Sequence, residues 1–155
     1  MRQKKLLVFI GTFFNIGKFP IAPGTLCSFI TMLIFYFVNI LLHTSCFTQI
    51  IAIIIIFFLG IPASSAGEKY FKKNDPHEVV IDEVAGQMIA LLFIPLTLVY
   101  YFAGFLLFRI FDIFKPFPIG LIDKKMHGGL GIMLDDVLAG LYALACLQIY
   151  LKFIH

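Results

Sequence analysis

Charged residues are scarce in this sequence and tryptophan is absent, and the shortage of charge decides the class of protein. Charged residues make up 14% of the 155 residues, and hydrophobic residues make up 61%. A soluble domain has roughly 25% charged residues and roughly 45–50% hydrophobic residues. The mean hydropathy is +0.99. So few polar side chains cannot cover a soluble globule, and the length suits a single domain over residues 1–155. The sequence therefore predicts a membrane protein.

Several signals that indicate other classes of protein are also absent. The apolar run at residues 6–10 has no small-residue cleavage site after it, so we expect it to be retained at the membrane interface. The cysteines, Cys27, Cys46 and Cys146, show no pairing pattern and are interpreted as packing residues. No Cys-x5-Arg, Asp-x-Asp or Ser-His-Asp arrangement is found. The net charge of +3 is too small to predict binding of nucleic acid.

Four apolar stretches account for most of the chain. A membrane span needs about 20 mainly apolar residues, and residues 26–42 and 47–66 approach or meet that length without a charge. The short turn between them predicts a tight helical hairpin. Residues 84–108 are interrupted by Pro95, and residues 137–153 form the fourth stretch. The predicted fold class is therefore all-α, a multi-pass membrane helical bundle.

The basic residues predict the side of the membrane on which each loop lies. Lysine and arginine occur before the first stretch, after the second and after the third, whereas turn 43–46 has none. The positive-inside rule therefore places the basic loops in the cytoplasm and the turn outside. One straight span over residues 84–108 would carry Lys115, Lys124 and Lys125 outside. We therefore expect this third stretch to be bent or re-entrant, shielded by the other helices.

Two similar acidic pairs stand directly before the third and fourth stretches. Asp82-Glu83 lies in Ile-Asp-Glu-Val and Asp135-Asp136 in Leu-Asp-Asp-Val. Each pair alone has a structural explanation, because acidic residues at a helix start cap the helix and suit its dipole. Together, at a membrane boundary where carboxylates are costly, they favour a bound cation. The sequence predicts Asp82, Glu83, Asp135 and Asp136 as ligands of Mg²⁺, and one carboxylate as a base or nucleophile.

Basic side chains follow the third stretch at helical spacing. Arg109, Asp112 and Lys115 are three residues apart, so all three are expected on one helix face. One interpretation is a structural Arg–Asp pair in a helix that Pro116 ends. The other is a cationic clamp for phosphate, in which Asp112 orients Arg109 or touches the metal. The second interpretation makes Arg109, Asp112 and Lys115 catalytic candidates beside the four acidic residues.

Two glycine-containing segments are candidates for binding the phosphate of a substrate. The segment before the first stretch contains Lys18, Gly24 and Thr25, and a helix N-terminus with free N–H groups binds anions. Thr25 is also a natural N-cap, and the spacing is not that of a Walker loop. The segment before the second acidic pair contains Gly128 and Gly129, which we expect in a flexible loop that approaches phosphate closely.

Taken together, these segments resemble the phosphatidylglycerophosphatase A family of bacteria. The resemblance covers most of the chain and is carried by residues 75–87, 108–119 and 128–140. Residues 23–28, Pro-Gly-Thr-Leu-Cys-Ser, resemble the Pro-Gly-Thr-x-Gly-Ser of the family, with Cys27 in place of the second glycine.

The resemblance implies an Mg²⁺-dependent enzyme of the bacterial inner membrane. Such an enzyme removes the terminal phosphate of phosphatidylglycerophosphate and gives phosphatidylglycerol and inorganic phosphate. We expect the active site on the cytoplasmic side, the lipid substrate and the bilayer as partners, and compatibility with a homo-oligomer. Two alternatives stay open: a phosphatase of another lipid or isoprenoid phosphate, and a non-enzymatic cation-transport protein whose acidic pairs bind the ion.

Overall fold

Helices form almost all of the chain that the structure describes. The computed structural model describes residues 2–154, which contain helices and turns but no strand, so the all-α prediction is confirmed. The helices are α1 (Arg2–Gly11), α2 (Pro23–Leu42), α3 (Cys46–Phe71), α4 (Ile81–Ala90), α5 (Leu98–Phe114), α6 (Ile119–Lys125) and α7 (Gly129–Ile154), and a 3-10 turn lies at Ile16–Lys18.

Three of these helices are long and apolar enough to cross a membrane. They are α2, α3 and the Gly129–Phe153 part of α7. Half of the apolar window of α7 is buried inside the protein, against 17% for α3. α7 is therefore the central helix of the bundle, whereas α3 presents most of its surface outward. The prediction of a multi-pass helical membrane protein is confirmed.

The third apolar stretch is divided between α4 and α5, and Pro95 lies in their connection. Near this connection Asn39 Nδ2 donates to Tyr101 Oη at 3.3 Å, and Gln148 Nε2 donates to the carbonyl of Phe93 at 3.0 Å. The connection therefore lies near the C-terminal ends of α2 and α7, away from the acidic pairs. This division agrees with the predicted bend, and re-entry into the bilayer stays a prediction.

α4 and α7 pack closely because two glycines meet at their crossing. A side chain at Gly140 would collide with the backbone of Gly86, and a side chain at Gly86 would collide with the carbonyl of Asp136. Asp82 lies four residues before Gly86, and Asp136 lies four residues before Gly140. The glycine contact therefore brings the two acidic pairs together at the same end of the two helices.

The predicted start of the last helix is wrong. α7 begins at Gly129, so Asp135 and Asp136 lie inside its second turn and not directly before it. Gly128, with φ of +80°, ends the preceding loop, and the N–H of Gly129 donates to Ser65 Oγ of α3 at 3.0 Å. A hydroxyl from another helix thus caps α7, which begins well before Val137, where the fourth apolar stretch was predicted to begin.

The predicted N-cap of α2 is also wrong. α2 begins at Pro23, with Ala22 as its N-cap, and Thr25 lies inside the first turn. Proline at the first helical position has a suitable φ and no N–H to satisfy, so it starts the helix before the threonine. In α4, Asp82 and Glu83 do lie in the first turn, where their charges suit the helix dipole.

Candidate active site

A polar cavity of about 320 Å³ lies where the N-terminal ends of α2 and α4 meet the C-terminal end of α5 and the second turn of α7. All seven predicted catalytic residues line it: Asp82, Glu83, Arg109, Asp112, Lys115, Asp135 and Asp136. Four separate segments of sequence are therefore brought to one place. Their catalytic roles stay predictions, and the contacts below indicate what each side chain is able to do.

Arg109 lies at the centre of one network in this cavity. Its Nη1 donates to Glu83 Oε2 and lies 3.0 Å from Asp112 Oδ2. Ser28 Oγ donates to the same Glu83 oxygen at 2.7 Å. A side chain at Gly24 would collide with the Glu83 carboxylate, so the glycine gives that carboxylate room beside the start of α2. The predicted Arg109–Asp112 pair is present, and Glu83 is its third member.

Lys115 joins a second network on the other side of the cavity. Its Nζ lies 2.7 Å from Asp123 Oδ1 and 2.6 Å from Asp135 Oδ2. Partial burial lowers the pKa of the Lys115 ammonium, but the hydrogen bonds to Asp123 and Asp135 outweigh burial and leave that pKa above its usual value. Lys115 is therefore a permanent cation that links α5, α6 and α7.

The prediction that Lys115 shares a helix face with Arg109 and Asp112 is wrong. α5 ends at Phe114, and Lys115 follows it with a left-handed backbone (φ 42°). Helical spacing does not continue beyond the last turn, so the Lys115 side chain points to α6 and α7 instead. The two cations of the cavity consequently hold different carboxylates.

The cavity carries an excess of negative charge. Two basic side chains, Arg109 and Lys115, face six carboxylates: Asp75, Asp82, Glu83, Asp112, Asp135 and Asp136. Both cations are already engaged in ion pairs. A phosphate group would therefore meet net repulsion in the ionised cavity, and binding it requires a further positive charge.

Among the carboxylates that line the cavity, two have a buried oxygen without a hydrogen-bond partner: Asp82 Oδ1 and Asp136 Oδ2. These residues are only 8% and 3% exposed, and an unpartnered buried carboxylate oxygen is costly unless a cation binds it. The pair fits Mg²⁺, which takes one or two carboxylates together with water and phosphate oxygens.

The other two predicted metal ligands, Glu83 and Asp135, are held by Arg109 and Lys115. Among residues 2–154, no three acidic, histidine or cysteine side chains are grouped so as to hold a metal ion by themselves. Of the four predicted metal ligands, Asp82 and Asp136 are therefore the two whose carboxylates are not engaged in an ion pair, and metal binding stays a prediction.

Only some of the residues predicted to bind phosphate line the cavity. Gly24 and Thr25 line the cavity. Lys18 is exposed and lines a different pocket, together with Lys5 and Tyr70. The turn at Ile16–Lys18 carries Lys18 away from the start of α2, which the sequence could not indicate.

The second glycine segment does not reach the cavity. Gly128 lines a smaller neighbouring pocket of about 180 Å³, which shares Asp75 and Asp135 with the cavity. Gly129 packs against the carbonyl of Ile61 and against Ser65 on α3. Its close contact is therefore with a neighbouring helix.

Four polar residues of the site were not assigned a role from the sequence: Ser28, Asp75, His77 and Asp123. Asp75 and His77 line the cavity, Ser28 is fully buried against Glu83, and Asp123 pairs with Lys115. Asp75, His77 and Ser28 lie within the segments that carry the family resemblance, so their positions offered a signal. Asp123 lies outside those segments, and only its pairing with Lys115 reveals it.

Comparison with known proteins identifies the family of the chain. The family model described as "Phosphatidylglycerophosphatase A" matches residues 9–151. The chain belongs to the phosphatidylglycerophosphatase A family. It is therefore a membrane-embedded phosphatase of phospholipid metabolism, and the resemblance found in its sequence segments is confirmed.

Individual relatives cover different shares of the chain. A protein of Escherichia coli K12 named "Phosphatidylglycerophosphatase A" is 34% identical over 82% of this chain and 73% of its own length. A Haemophilus influenzae protein of the same name is 51% identical over 45% of this chain and 44% of its own. A Bacteroides thetaiotaomicron protein named "Putative phosphatidylinositol-3-phosphatase" is 40% identical over 92% and 91%. No solved structure matches the chain.

Proposed function

We propose that this enzyme removes the terminal phosphate of phosphatidylglycerophosphate, with Mg²⁺ as cofactor, at the cytoplasmic face of the bacterial inner membrane. The observation that carries the proposal is the cavity in which Asp82 and Asp136 each present a buried, unpartnered carboxylate oxygen. This cavity adjoins the starts of two candidate membrane spans, α2 and α7. A lipid phosphate can enter such a site while its acyl chains remain in the bilayer.

Asp82 and Asp136 would hold the metal ion. When bound, Mg²⁺ would neutralise the phosphate oxygens and position water for attack on phosphorus. The P–O bond to the glycerol oxygen breaks, a P–O bond to the water oxygen forms, and the proton lost by the water passes to the leaving glycerol oxygen, which becomes the alcohol. Arg109, held by Glu83 and Asp112, is directed at the phosphate, where its planar guanidinium stabilises charge on the phosphoryl oxygens.

Lys115 has a positioning role in this proposal. Its pairs with Asp123 and Asp135 hold the end of α5 against α6 and α7. The Lys115 ammonium thereby offsets the charge of Asp135 next to Asp136, and the pairing orients the second turn of α7 toward the cavity. Ser28 has the corresponding role for Glu83 on the opposite wall.

A second candidate substrate follows from the name of the Bacteroides relative, which specifies a phosphatidylinositol 3-phosphate. Both substrates are phosphate monoesters on a lipid headgroup, and the contacts described above are directed at the phosphate they share. The choice between them rests on the alcohol that leaves.

The deciding experiment is phosphate release by the purified protein in nanodiscs. The panel contains phosphatidylglycerophosphate, phosphatidylinositol 3-phosphate and an isoprenoid phosphate, each with Mg²⁺ and with a chelator. We expect phosphatidylglycerophosphate to be turned over fastest, and only with Mg²⁺. A faster reaction with the inositol lipid would replace the proposed substrate, and cation flux into sealed liposomes without any phosphate release would support a transporter.

The proposed orientation is tested by cysteine labelling. In a variant without Cys27, Cys46 and Cys146, a single cysteine at Lys125 should react with an impermeant reagent only from the cytoplasmic side. One at Ser45 should react only from outside. Outside labelling at position 125 would mean that the third apolar stretch crosses the membrane completely.

A further inference from the structure

Polarity is inverted at the cavity end of α5. Ile113 and Phe114 are 65% and 78% exposed, although they stand between two charged residues. The side chains of those neighbours, Asp112 and Lys115, are only 14% and 25% exposed. In water the opposite arrangement is favoured, because apolar exposure is costly and charges are well solvated. The surface of the protein at this end of α5 is therefore apolar.

Exposed apolar side chains also border the other wall of the cavity. Phe19 and Ile21 are 50% and 74% exposed, and the residues that follow them, Ala22 and Pro23, line the cavity. Phe117, two residues after Lys115, is 80% exposed. We refer to Phe19, Ile21, Phe114 and Phe117 together as the apolar rim. They come from two separate segments that each continue directly into the cavity wall.

Exposed lysines accompany the apolar rim. Lys18 directly precedes Phe19, and Lys124 and Lys125 end α6, which follows Phe117. Apolar side chains at the level of the acyl chains, with lysines reaching outward, are typical of a surface that lies in the interface of an anionic membrane. The charge of such a leaflet is complementary to these lysines.

We propose that the apolar rim inserts into the cytoplasmic leaflet and that the lipid phosphate passes between its two segments directly from the bilayer into the cavity. The identity of that lipid rests on the proposed function, whereas the position of the rim does not. The substrate then never leaves the membrane, and its headgroup alone meets the carboxylates. The rim thus acts as the access route of the site and takes no part in the chemistry.

Because the chain contains no tryptophan, single tryptophans report the depth of the rim without background. Phe117→Trp and Ile21→Trp in nanodiscs with brominated acyl chains should lose most of their fluorescence. Lys73→Trp is the matched control. It follows α3, whose 26 residues span about 39 Å and exceed the hydrocarbon core of about 30 Å, so position 73 should be in water and unquenched.

Quenching of Phe117→Trp and Ile21→Trp no stronger than that of Lys73→Trp would overturn the proposal. Quenching that appears only when the protein is diluted would also overturn it, because a second copy of the chain would then cover the rim at higher protein concentration. This measurement requires no substrate, so it stands even if phosphatidylglycerophosphate proves to be the wrong lipid.

A kinetic test concerns the access route itself. Ile21→Ser combined with Phe114→Ser should raise the KM for a long-chain lipid phosphate in bilayers several-fold at unchanged kcat. Turnover of a dispersed short-chain analogue with the same headgroup should stay at the wild-type value. Phe47→Ser, which removes a 73% exposed phenylalanine at the opposite end of the bundle, should change neither.

Equal loss on the long-chain and short-chain substrates would show that the rim supports the cavity and not access, and would overturn the proposal. An unchanged long-chain KM would do the same. If the wild-type protein prefers another lipid phosphate, the comparison is made with long-chain and short-chain forms of that lipid.

Discussion

The two acidic pairs have nearly the same sequence, yet their members are engaged in opposite order. In Asp82-Glu83 the second residue binds a cation, Arg109, and the first keeps a buried unpartnered oxygen. In Asp135-Asp136 the first residue binds a cation, Lys115, and the second keeps the unpartnered oxygen. Each pair therefore contributes one carboxylate to an ion pair and one to the open cavity.

This difference explains how four carboxylates are accommodated at the edge of a membrane. Adjacent carboxylates repel each other, and their burial is costly. One cation for each pair offsets half of that charge permanently, and the remaining half is left for a metal ion and its phosphate ligand. The pairs are similar in composition, but only Asp82 and Asp136 are equivalent in environment.

The largest expected effect is the loss of either unpartnered carboxylate. Asp82→Asn and Asp136→Asn should each lower kcat by at least about two orders of magnitude, because a preorganised charge in the cavity is removed. The fold should persist, since neither side chain makes an ion pair. Phosphate release over a range of Mg²⁺ concentrations, beside a thermal melt, measures both effects.

Near-normal turnover of both variants at low Mg²⁺ would contradict the comparison between the pairs. A result in which Glu83→Gln and Asp135→Asn bound Mg²⁺ less tightly than the first two variants would exchange the assigned roles. The second result would mean that the ion pairs open when metal binds.

The next largest effect is expected where the pairs are brought together. Gly86→Ala should lower turnover by up to about a hundredfold, because its new methyl group meets the Asp136 carbonyl at 2.5 Å and the Phe108 ring at 2.6 Å. α4 and α7 must then separate. Gly60→Ala is the matched control, since its methyl group would meet only the flexible side chain of Met133. Equal activity of the two variants would show that the glycine crossing does not position the carboxylates.

The sequence predicted the features that depend on composition and local spacing. Scarce charge and long apolar runs predicted a helical membrane bundle, because a bilayer leaves few other structures available. The Arg109–Asp112 pair follows from a spacing of three residues within one helix. The acidic pairs stood out because charges are rare beside such apolar stretches.

The remaining features depend on contacts between distant segments. The hydroxyl of Ser65, on α3, caps α7 and moves its start ahead of Asp135. Lys115 follows the end of α5, so helical spacing misplaced it and gave no indication of Asp123. Lys18 was assigned to the cavity because it is near Gly24 in sequence, but it ends a 3-10 turn and lines a different pocket.

A smaller effect is expected for the cation of the first pair. Arg109→Lys should lower turnover roughly tenfold, because the loss of one charged hydrogen bond to the phosphate costs a free energy that corresponds to about that factor. A guanidinium can contact Glu83, Asp112 and a phosphate at once. A lysine ammonium is one compact charge and cannot replace the planar set of donors of arginine. The variant should melt near the wild-type temperature. Wild-type turnover of Arg109→Lys would mean that Arg109 forms only a structural ion pair. A greatly lowered melting temperature of the variant would indicate the same.

The smallest effect is expected for the cation of the second pair. Lys115 Nζ lies between Asp123 and Asp135, and a point charge at that place satisfies both carboxylates. Lys115→Arg keeps the charge and should keep most of the turnover, whereas Lys115→Met leaves Asp135 buried beside Asp136 without a cation and should lose both activity and stability. Phosphate release and a thermal melt of the two variants form the measurement. If Lys115→Arg were as inactive as Asp136→Asn, Lys115 would contact the phosphate itself, and the two cations would have the same role. If Lys115→Met were fully active, Asp135 and Asp136 would need no basic side chain beside them. The two acidic pairs would then differ only in how they bind the metal ion.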